Sequence, residues 1–435
     1  MKNATKSAGC ALGILITVAG IGQTLANNEL TPAEKKAGFF LLFDGKDKNT
    51  NWRHNAQGSE PSKWTIEDSS MRTVNESSDL CTKSNLQYSN FEWKIDWKLA
   101  KGGNSGLFIH VLTSTYNDGY EYGILDDENG GDNSHRSHNP ADILPDGKGA
   151  YVKRNGSAYD MYPTTLNGQI GGQYYDSTLS VPNGQWDKGV IFANGNFIEH
   201  WLNGKKVVEL EIGSDDWNAR FAKSKWASTA KVGAWAKNPS GSLCMQAHGN
   251  NLDVWFRNIK VRPFTPGEKL NSPLITPAGG SFQSPVTVFL DPAITGSTVR
   301  YTLDGTDPIA TSPIYKDSLK VMATAVLKTK TFRDKFQASD LASATFTIGG
   351  TGIAYNPSFK GARYFYSAKD KSVRIESALG QTMDLKVMDV SGKIRVRYFS
   401  SNKKGEVSLS TLQSGIYFIK ARSGGLTTID RIYAP

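Results

Sequence analysis

Between Phe91 and Leu99, in "FEWKIDWKL", apolar residues fall at every second position. Phe91, Trp93, Ile95, Trp97 and Leu99 share one side, and Glu92, Lys94, Asp96 and Lys98 the other. A period of two marks a half-buried β-strand. The same style recurs in "SGLFIHVL", "YEYGIL", "KGVIFA", "FIEHWLNGKKVVELEI" and "VWFRNIKV". Asn203-Gly204 within "LNGKK" predicts a tight hairpin turn. Residues 27–38 read as a short helix or lead-in with Pro32 in its first turn. Long helical patterns are scarce. So many short strands predict an all-β protein, with a two-sheet jelly roll from Phe39 to Phe264.

The pattern also assigns faces. In "SGLFIHV", Leu107, Ile109 and Val111 share one face, and His110 lies opposite with Phe108. In "YEYGIL", Glu121 lies opposite Tyr120, Tyr122 and Ile124. A sandwich packs one face of each sheet inward, so His110 and Glu121 should meet on a groove or in water. Glu92 and Asp96 share a strand face without a third acid, and are expected to be solvated. In "CMQAHGNNLDVWFRNIKVRPF", a tight turn joins two strands. It either exposes Gln246 and His248 on a solvated loop or delivers them into a binding site. Aromatic density nearby suits sugar rings, whose C–H faces stack on aromatics and whose hydroxyls pair with carboxylate, amide and imidazole.

Beyond this domain the chain changes character. A Pro-rich joint, "RPFTPGEKLNSPLITPAGG", precedes a small β-sandwich at 272–348. The linker "GGTGI" precedes a third β module at 354–435. That module holds 14 Lys+Arg against 6 Asp+Glu, a net of +8 within the chain's +9. The basic balance therefore belongs to one module. It comes without a recognition helix or zinc-finger spacing, so no nucleic-acid partner is expected. At the other end, Lys2 and Lys6 precede an apolar run, and Thr24 and Ala26 offer small residues for cleavage. Residues 1–26 read as a secretory signal peptide, shorter in its apolar run than the ~20 residues of a membrane span. No transmembrane span is expected after its removal. Cys81 and Cys244 remain, 163 positions apart, and the sequence leaves open a disulfide or two buried thiols.

Searches by spacing find no G-x-S-x-G elbow, no H-E-x-x-H and no P-loop. The acidic trio of sandwich-fold glycanases is absent too. Several stretches together nevertheless carry a resemblance: "GFFLLFDGKDKNTNWR", "WTIEDSSM", "GGNSGLF", "YEYGILDDEN", "GSAYDMYP", "IEHWLNGKKVVELEIGSDDW", "QAHG" and "VWFRNIKVRPF". In this order they resemble the 3-keto-disaccharide hydrolase domain family over residues 36–264. The resemblance implies a concanavalin/laminarinase-like jelly roll acting on glycosides oxidised to a ketone at carbon 3. The ketone acidifies the neighbouring C–H, a base removes that proton, the glycosidic oxygen leaves and water adds.

The family pattern carries onto Glu121, Asp126, Asp160, Gln246 and His248. On this reading His248 or Glu121 is the general base. His110, Gln246 and Asp126 position hydroxyls or stabilise the enolate, and Asp160 joins the substrate-binding set. The residues assign no cofactor, and a divalent cation on Asp126 and Asp132 is an open alternative, since hard cations take oxygen ligands. The sequence departs from the pattern at Ala247, where "LQDHG" is usual, and at Gly123, where "YE-x-Q" is usual. It also has "GGD" at Gly130, Gly131 and Asp132 where a His-Pro-Asp element is usual. Two further resemblances follow. "YTLDGTDPIATSPIY" resembles the C-terminal β-sandwich of chitobiase-type enzymes. "VMDVSGK" with "LSTLQSGIYFIKA" resembles type IX secretion sorting domains. Together they imply a protein passing through the periplasm to be secreted or held at the outer-membrane surface, with secretion machinery and a glycan or oxidised disaccharide as partners. The alternative reading is a non-catalytic carbohydrate-binding or structural surface protein.

Overall fold

The computed structural model describes residues 26–54, 63–73, 78–112, 118–127, 138–143, 149–165, 168, 179–229, 235–248, 253–282, 284–348, 362–367, 371–377, 382–400, 404–413, 415–423 and 426–434. The signal peptide expected at 1–26 lies almost wholly outside them, as do Gly131 and Asp132. The chain divides into two compact units, Met1–Thr265 and Pro266–Pro435. Both are built almost entirely of strands, so the protein is all-β.

The described strands of the first unit begin with β1 (Phe40–Leu41), β2 (Trp52–His54), β3 (Thr65–Glu67), β4 (Ser70–Arg72) and β5 (Leu80–Thr82). The long pair β6 (Phe91–Leu99) and β7 (Asn104–Val111) follows, then β8 (Tyr120–Leu125), β9 (His138–Ile143) and β10 (Gly149–Tyr151). The unit ends with β11 (Asp187–Asn194), β12 (Phe197–Leu202), β13 (Lys205–Glu211), β14 (Ser242–Met245) and β15 (Val254–Pro263). One sheet of eight strands runs β13-β12-β11-β6-β15-β4-β3, with β1 against β15; the other, of five, runs β2-β5-β14-β7-β8. This is the jelly roll that the alternation predicts. β9 and β10 pair in a separate hairpin. Asn203 and Gly204 both have positive φ, 48° and 79°, as a tight hairpin turn between β12 and β13 requires.

The core lies between the two sheets. Trp93, Trp97, Ile191 and Phe256 from the large sheet join Leu107, Tyr120 and Tyr122 from the small one in a single apolar cluster. Trp97 meets Tyr122 edge-on at 5.7 Å between ring centres. Each such side chain contributes about 2–3 kcal/mol by leaving water. One polar group is buried among them. His200 Nδ1 lies 3.0 Å from the Gly156 carbonyl, which can only accept. Nε2 is therefore the unprotonated nitrogen, accepting from the Tyr120 hydroxyl at 2.8 Å.

The outer face of β6 departs from the expectation. Glu92 and Asp96 are buried, not solvated. The cause is the helix Pro32–Ala37, which Thr31 caps reciprocally with Glu34. Glu34 reaches Lys260 at 2.7 Å and Lys94 at 3.5 Å, and Arg262 donates to the Ala37 carbonyl at 2.7 Å. The N-terminal segment thus roofs this part of the sheet. Beneath it Glu92 pairs with Lys94, and Asp96 accepts from Asn258 at 2.7 Å.

The second unit has two apolar clusters. One, centred on Val288, Leu327 and Phe346, is covered by the sheet Leu274–Thr276, Val286–Asp291, Leu319–Val321 and the sheet Gly280–Phe282, Ala342–Ile348, Ala325–Phe332, Thr298–Thr302. The other, centred on Leu385, Val387 and Ile419, lies in a region with a four-stranded sheet, Ile394–Ser400, Met383–Asp389, Gly415–Ser423, Leu426–Ala434, and a three-stranded one. No helix among the described residues is long and apolar enough to cross a membrane. Because the first unit carries its own core, a fragment spanning residues 27–265 should be soluble and melt in one cooperative transition. Aggregation of that fragment, with the full chain soluble, would place the boundary elsewhere.

Candidate active site

The face of the five-stranded sheet that points away from the large sheet brings chemistry-bearing side chains together. Register sets the rows. Cys81 pairs with Cys244, Cys244 with Phe108, and Phe108 with Glu121. Beyond Glu121 the segment 156–159 adds a further short pairing: Tyr159 N donates to the Glu121 carbonyl at 3.1 Å, and Gly123 N to that of Ser157 at 2.9 Å. Tyr159 thus ends the row. The next row runs from Asp79 through Gln246 and Gly106 to Gly123, as the pairs Leu80–Met245, Leu107–Met245 and Gly106–Gly123 dictate. Gln246 N donates to the Gly106 carbonyl at 2.8 Å, and Asp79 Oδ1 accepts from Ala247 N at 3.0 Å. Cys81 and Cys244 form a disulfide, which resolves the alternative left open by the sequence.

Glu121 leans from its own row over Gly106. A Cβ at position 106 would lie 2.6 Å from Glu121 Oε1, so only glycine leaves room for the carboxyl. The residue is 3% exposed, and its Oε2 has no hydrogen-bond partner among the described residues. Burial pushes this carboxyl up to about 8. Lys225 and Lys153 oppose the shift, while Asp79 and Asp160 reinforce it. A carboxyl titrating near neutrality in a polar cluster is suited to take and return a proton.

The cations are fixed by aromatic packing. Trp226 stacks on Trp235 at 4.7 Å, and Trp235 stacks on Trp217 at 5.6 Å. All three indoles are buried. Trp226 Nε1 donates to the Tyr159 carbonyl at 3.0 Å. Lys225, next in sequence, carries its ammonium 4.2 Å from the centre of the Tyr159 ring. Asp160 Oδ2 accepts from Lys225 N at 2.6 Å, and its Oδ1 lies 3.5 Å from Lys153 Nζ.

Of the residues expected from the sequence, Glu121, Gln246 and Asp160 come together on this side. His248 lies exposed at the rim, four residues past Cys244 in the Glu121 row, about 13 Å at strand spacing. His110 does not face Glu121. A β-bulge opposite β14 inserts one extra residue in β7, and His110 takes a φ of 56°. Its ring turns to meet Phe91 of the other sheet edge-on at 5.7 Å, and Nε2 lies 3.0 Å from the Ser89 carbonyl. Burial lowers its pKa to about 4, so the imidazole is neutral. Asp126 follows β8, five residues from Glu121 and about 16 Å along the strand direction. Its Oδ2 accepts from Gly102 N at 2.7 Å and from Asn183 Nδ2 at 2.8 Å, so it braces loops. The cation pairing with Asp132 falls outside the described residues. Among those residues, no group of three or more His, Cys, Asp or Glu side chains could hold a metal ion.

Asp79, Tyr159, Lys153 and Lys225 were not foreseen. Asp79 had a signal, since it alternates with Cys81 in "DLC", and Tyr159 lies inside a quoted motif. Lys225 had none beyond its neighbour Trp226.

Two of the buried ionisable groups, Glu121 and His200, act on stability with opposite signs. Folded Glu121 keeps a proton that the unfolded chain, with a pKa near 4.5, releases. Stability is therefore lost as pH rises from about 4.5 to 8. His200, lowered by burial to about 3, stays neutral where the unfolded chain takes a proton below about 6.5, so stability is lost as pH falls through that window. Glu121→Gln should melt above wild type by a margin that widens from pH 5 to pH 8, reaching at least about 3 °C. Parallel melting curves across that range would show that Glu121 is not buried as a neutral acid.

Comparisons with known proteins match three parts of the chain to families. Residues 277–345 match the chitobiase/beta-hexosaminidase C-terminal domain, and residues 368–434 the secretion system C-terminal sorting domain. The sorting domain makes this a secreted or cell-surface protein. A 3-keto-disaccharide hydrolase of Bacteroides thetaiotaomicron is 29% identical over 254 residues, which cover 52% of this chain and 78% of that protein. A candidate glycosyl hydrolase of Parabacteroides distasonis is 30% identical, covering 55% of this chain and all of that one, with a TM-score of 0.44. A second from the same species is 23% identical, over 52% and 99%, with a TM-score of 0.36. Residues 38–262, more than half of the chain, match the 3-keto-alpha-glucoside-1,2-lyase-like domain, and the protein belongs to that hydrolase-like family.

Proposed function

We propose that this protein is a secreted hydrolase of 3-keto-glycosides, in which Glu121 moves the proton that starts the reaction. The observation that carries this reading is the buried Glu121 carboxyl over Gly106, its Oε2 without a hydrogen-bond partner among the described residues, one row from Gln246 and within reach of the Asp160 charge. A lectin has no use for an unpaired buried acid, which costs stability. A proton-transfer enzyme does.

The ionised Glu121 takes the C2 proton of the oxidised sugar. The C–H electron pair forms a C2–C3 double bond, and the negative charge passes to the C3 oxygen. Collapse of this enolate expels the glycosidic oxygen from C1, which leaves as the alcohol on taking a proton. Water then adds to C1, and a proton returns to C2. Gln246 holds a sugar hydroxyl beside Gly106, and His248 closes the rim. Residues 36–264 carry this chemistry. Residues 272–348 serve as an accessory β-sandwich and 354–435 as the export address, with residues 1–26 as the leader for entry to the periplasm.

The test is to give the full chain a 3-keto-disaccharide and its unoxidised parent. Turnover of the ketone alone is expected, rising with pH through about 8 because the carboxylate form is the base. Binding of both sugars without turnover would make the protein a carbohydrate-binding module instead. Glu121→Gln should lower turnover by at least about 100-fold, within the usual range for a general base. His248→Ala should leave the melting temperature unchanged and cut turnover by at least about tenfold. Turnover like that of wild type in His248→Ala would reduce His248 to an ordinary turn residue.

A further inference from the structure

We infer that the outer face of the C-terminal four-stranded sheet is a docking surface for a lipid bilayer with anionic, phosphate-bearing headgroups. Three of its strands, Ile394–Ser400, Met383–Asp389 and Gly415–Ser423, lie side by side in that order. Leu385, Val387, Ile419 and Ala421 belong to the apolar cluster on the inner face. The residues alternating with them point the other way. Register builds rows on that outer face. Arg397 pairs with Lys386, and Lys386 with Lys420. Three cations thus stand in one row, each about 5 Å from the next at strand spacing. Like charges directly opposite one another destabilise a sheet. Phe399, Asp384 and Arg422 form the row on one side, and Ile394, Met388 and Phe418 the row on the other.

The acids do not balance this face. Asp384 is shared, 3.2 Å from Arg397 Nε and 3.7 Å from Lys386 Nζ. Asp389 is taken by Arg395 at 2.7 Å. Lys420 and Arg422 have no ion pair among the described residues. Anionic groups laid across the row relieve its repulsion. The apolar side chains select the kind of anion. Phe399 is 66% exposed and Ile394 46%, both among the cations, and Val390 in the adjoining turn is 73% exposed. A soluble polyanion leaves such groups in water. A bilayer takes them in at its acyl boundary while its headgroups meet the cations. A second copy of this face would set cations against cations.

The test sediments residues 27–435, free of the apolar leader, with vesicles of phosphatidylcholine alone or with about one third phosphatidylglycerol. Binding to the anionic vesicles is expected at low salt, with loss at high salt and none to phosphatidylcholine. Lys386→Gln/Lys420→Gln should weaken binding at least about tenfold. The pair should melt no lower than wild type, because the like-charge row is relieved. Lys386→Arg/Lys420→Arg keeps the charge and should bind within about threefold of wild type. Phe399→Ser should weaken vesicle binding at least about threefold and leave retention on heparin unchanged. No binding of wild type to anionic vesicles overturns the assignment. So does binding by Lys386→Gln/Lys420→Gln within about threefold of wild type. Retention on heparin without vesicle binding, or wild-type vesicle binding by Phe399→Ser, overturns the lipid partner and leaves a face for soluble polyanions.

Discussion

The structure around the site turns on a carboxyl held out of water, with no hydrogen-bond partner on one oxygen among the described residues. Such a group is unfavourable in the folded chain unless it keeps its proton. Glu121 is kept there because the sheet leaves it nowhere else to go. Its strand is hydrogen-bonded on both sides, by β7 and by the 156–159 segment, and the carboxyl occupies the space over Gly106. What the molecule loses in stability at this position it holds as a group ready to titrate near neutrality.

The surrounding fold supports that arrangement from several directions. The Cys81–Cys244 disulfide joins β5 to β14 in the same row as Phe108 and Glu121, two residues from Asp79 on one strand and two from Gln246 on the other. Helices at Asp215–Phe221 and Trp226–Thr229 bring the indoles that fix Tyr159 and Lys225. The eight-stranded sheet supplies the apolar backing of the smaller sheet. The face therefore combines carboxyl, amide and ammonium groups drawn from five separated segments, at positions 79, 121, 159–160, 225 and 246.

Two departures from the family pattern read differently once placed. Ala247 is buried in the core cluster, and its backbone N donates to Asp79 Oδ1 at 3.0 Å. Gly123 lies on that face, but a Cβ there would come within 3.0 Å of the Arg154 carbonyl and 3.2 Å of Ser157 Oγ. The 154–157 turn fills the volume that a glutamine would need. Both residues are packed locally, and Glu121 and Gln246 keep their places at Gly106.

The alternation of Phe91–Leu99, the Asn203-Gly204 turn and the Thr31–Glu34 cap were legible in the sequence because each depends on a few neighbouring residues. So was the side of β8 on which Glu121 lies, since side chains along one strand have a fixed period. What only the tertiary structure decided was register between strands distant in sequence, and what covers each face. One extra residue in β7 reversed His110, since a bulge breaks the period on which its assignment depended. The N-terminal segment, through its helix at Glu34 and through Asn28 on Asn258, lay over the strand face of Glu92 and Asp96. Asp79, Tyr159 and Lys225 joined Glu121 through pairings and stacking between segments dozens of residues apart, and no local pattern encodes which segment will lie beside which.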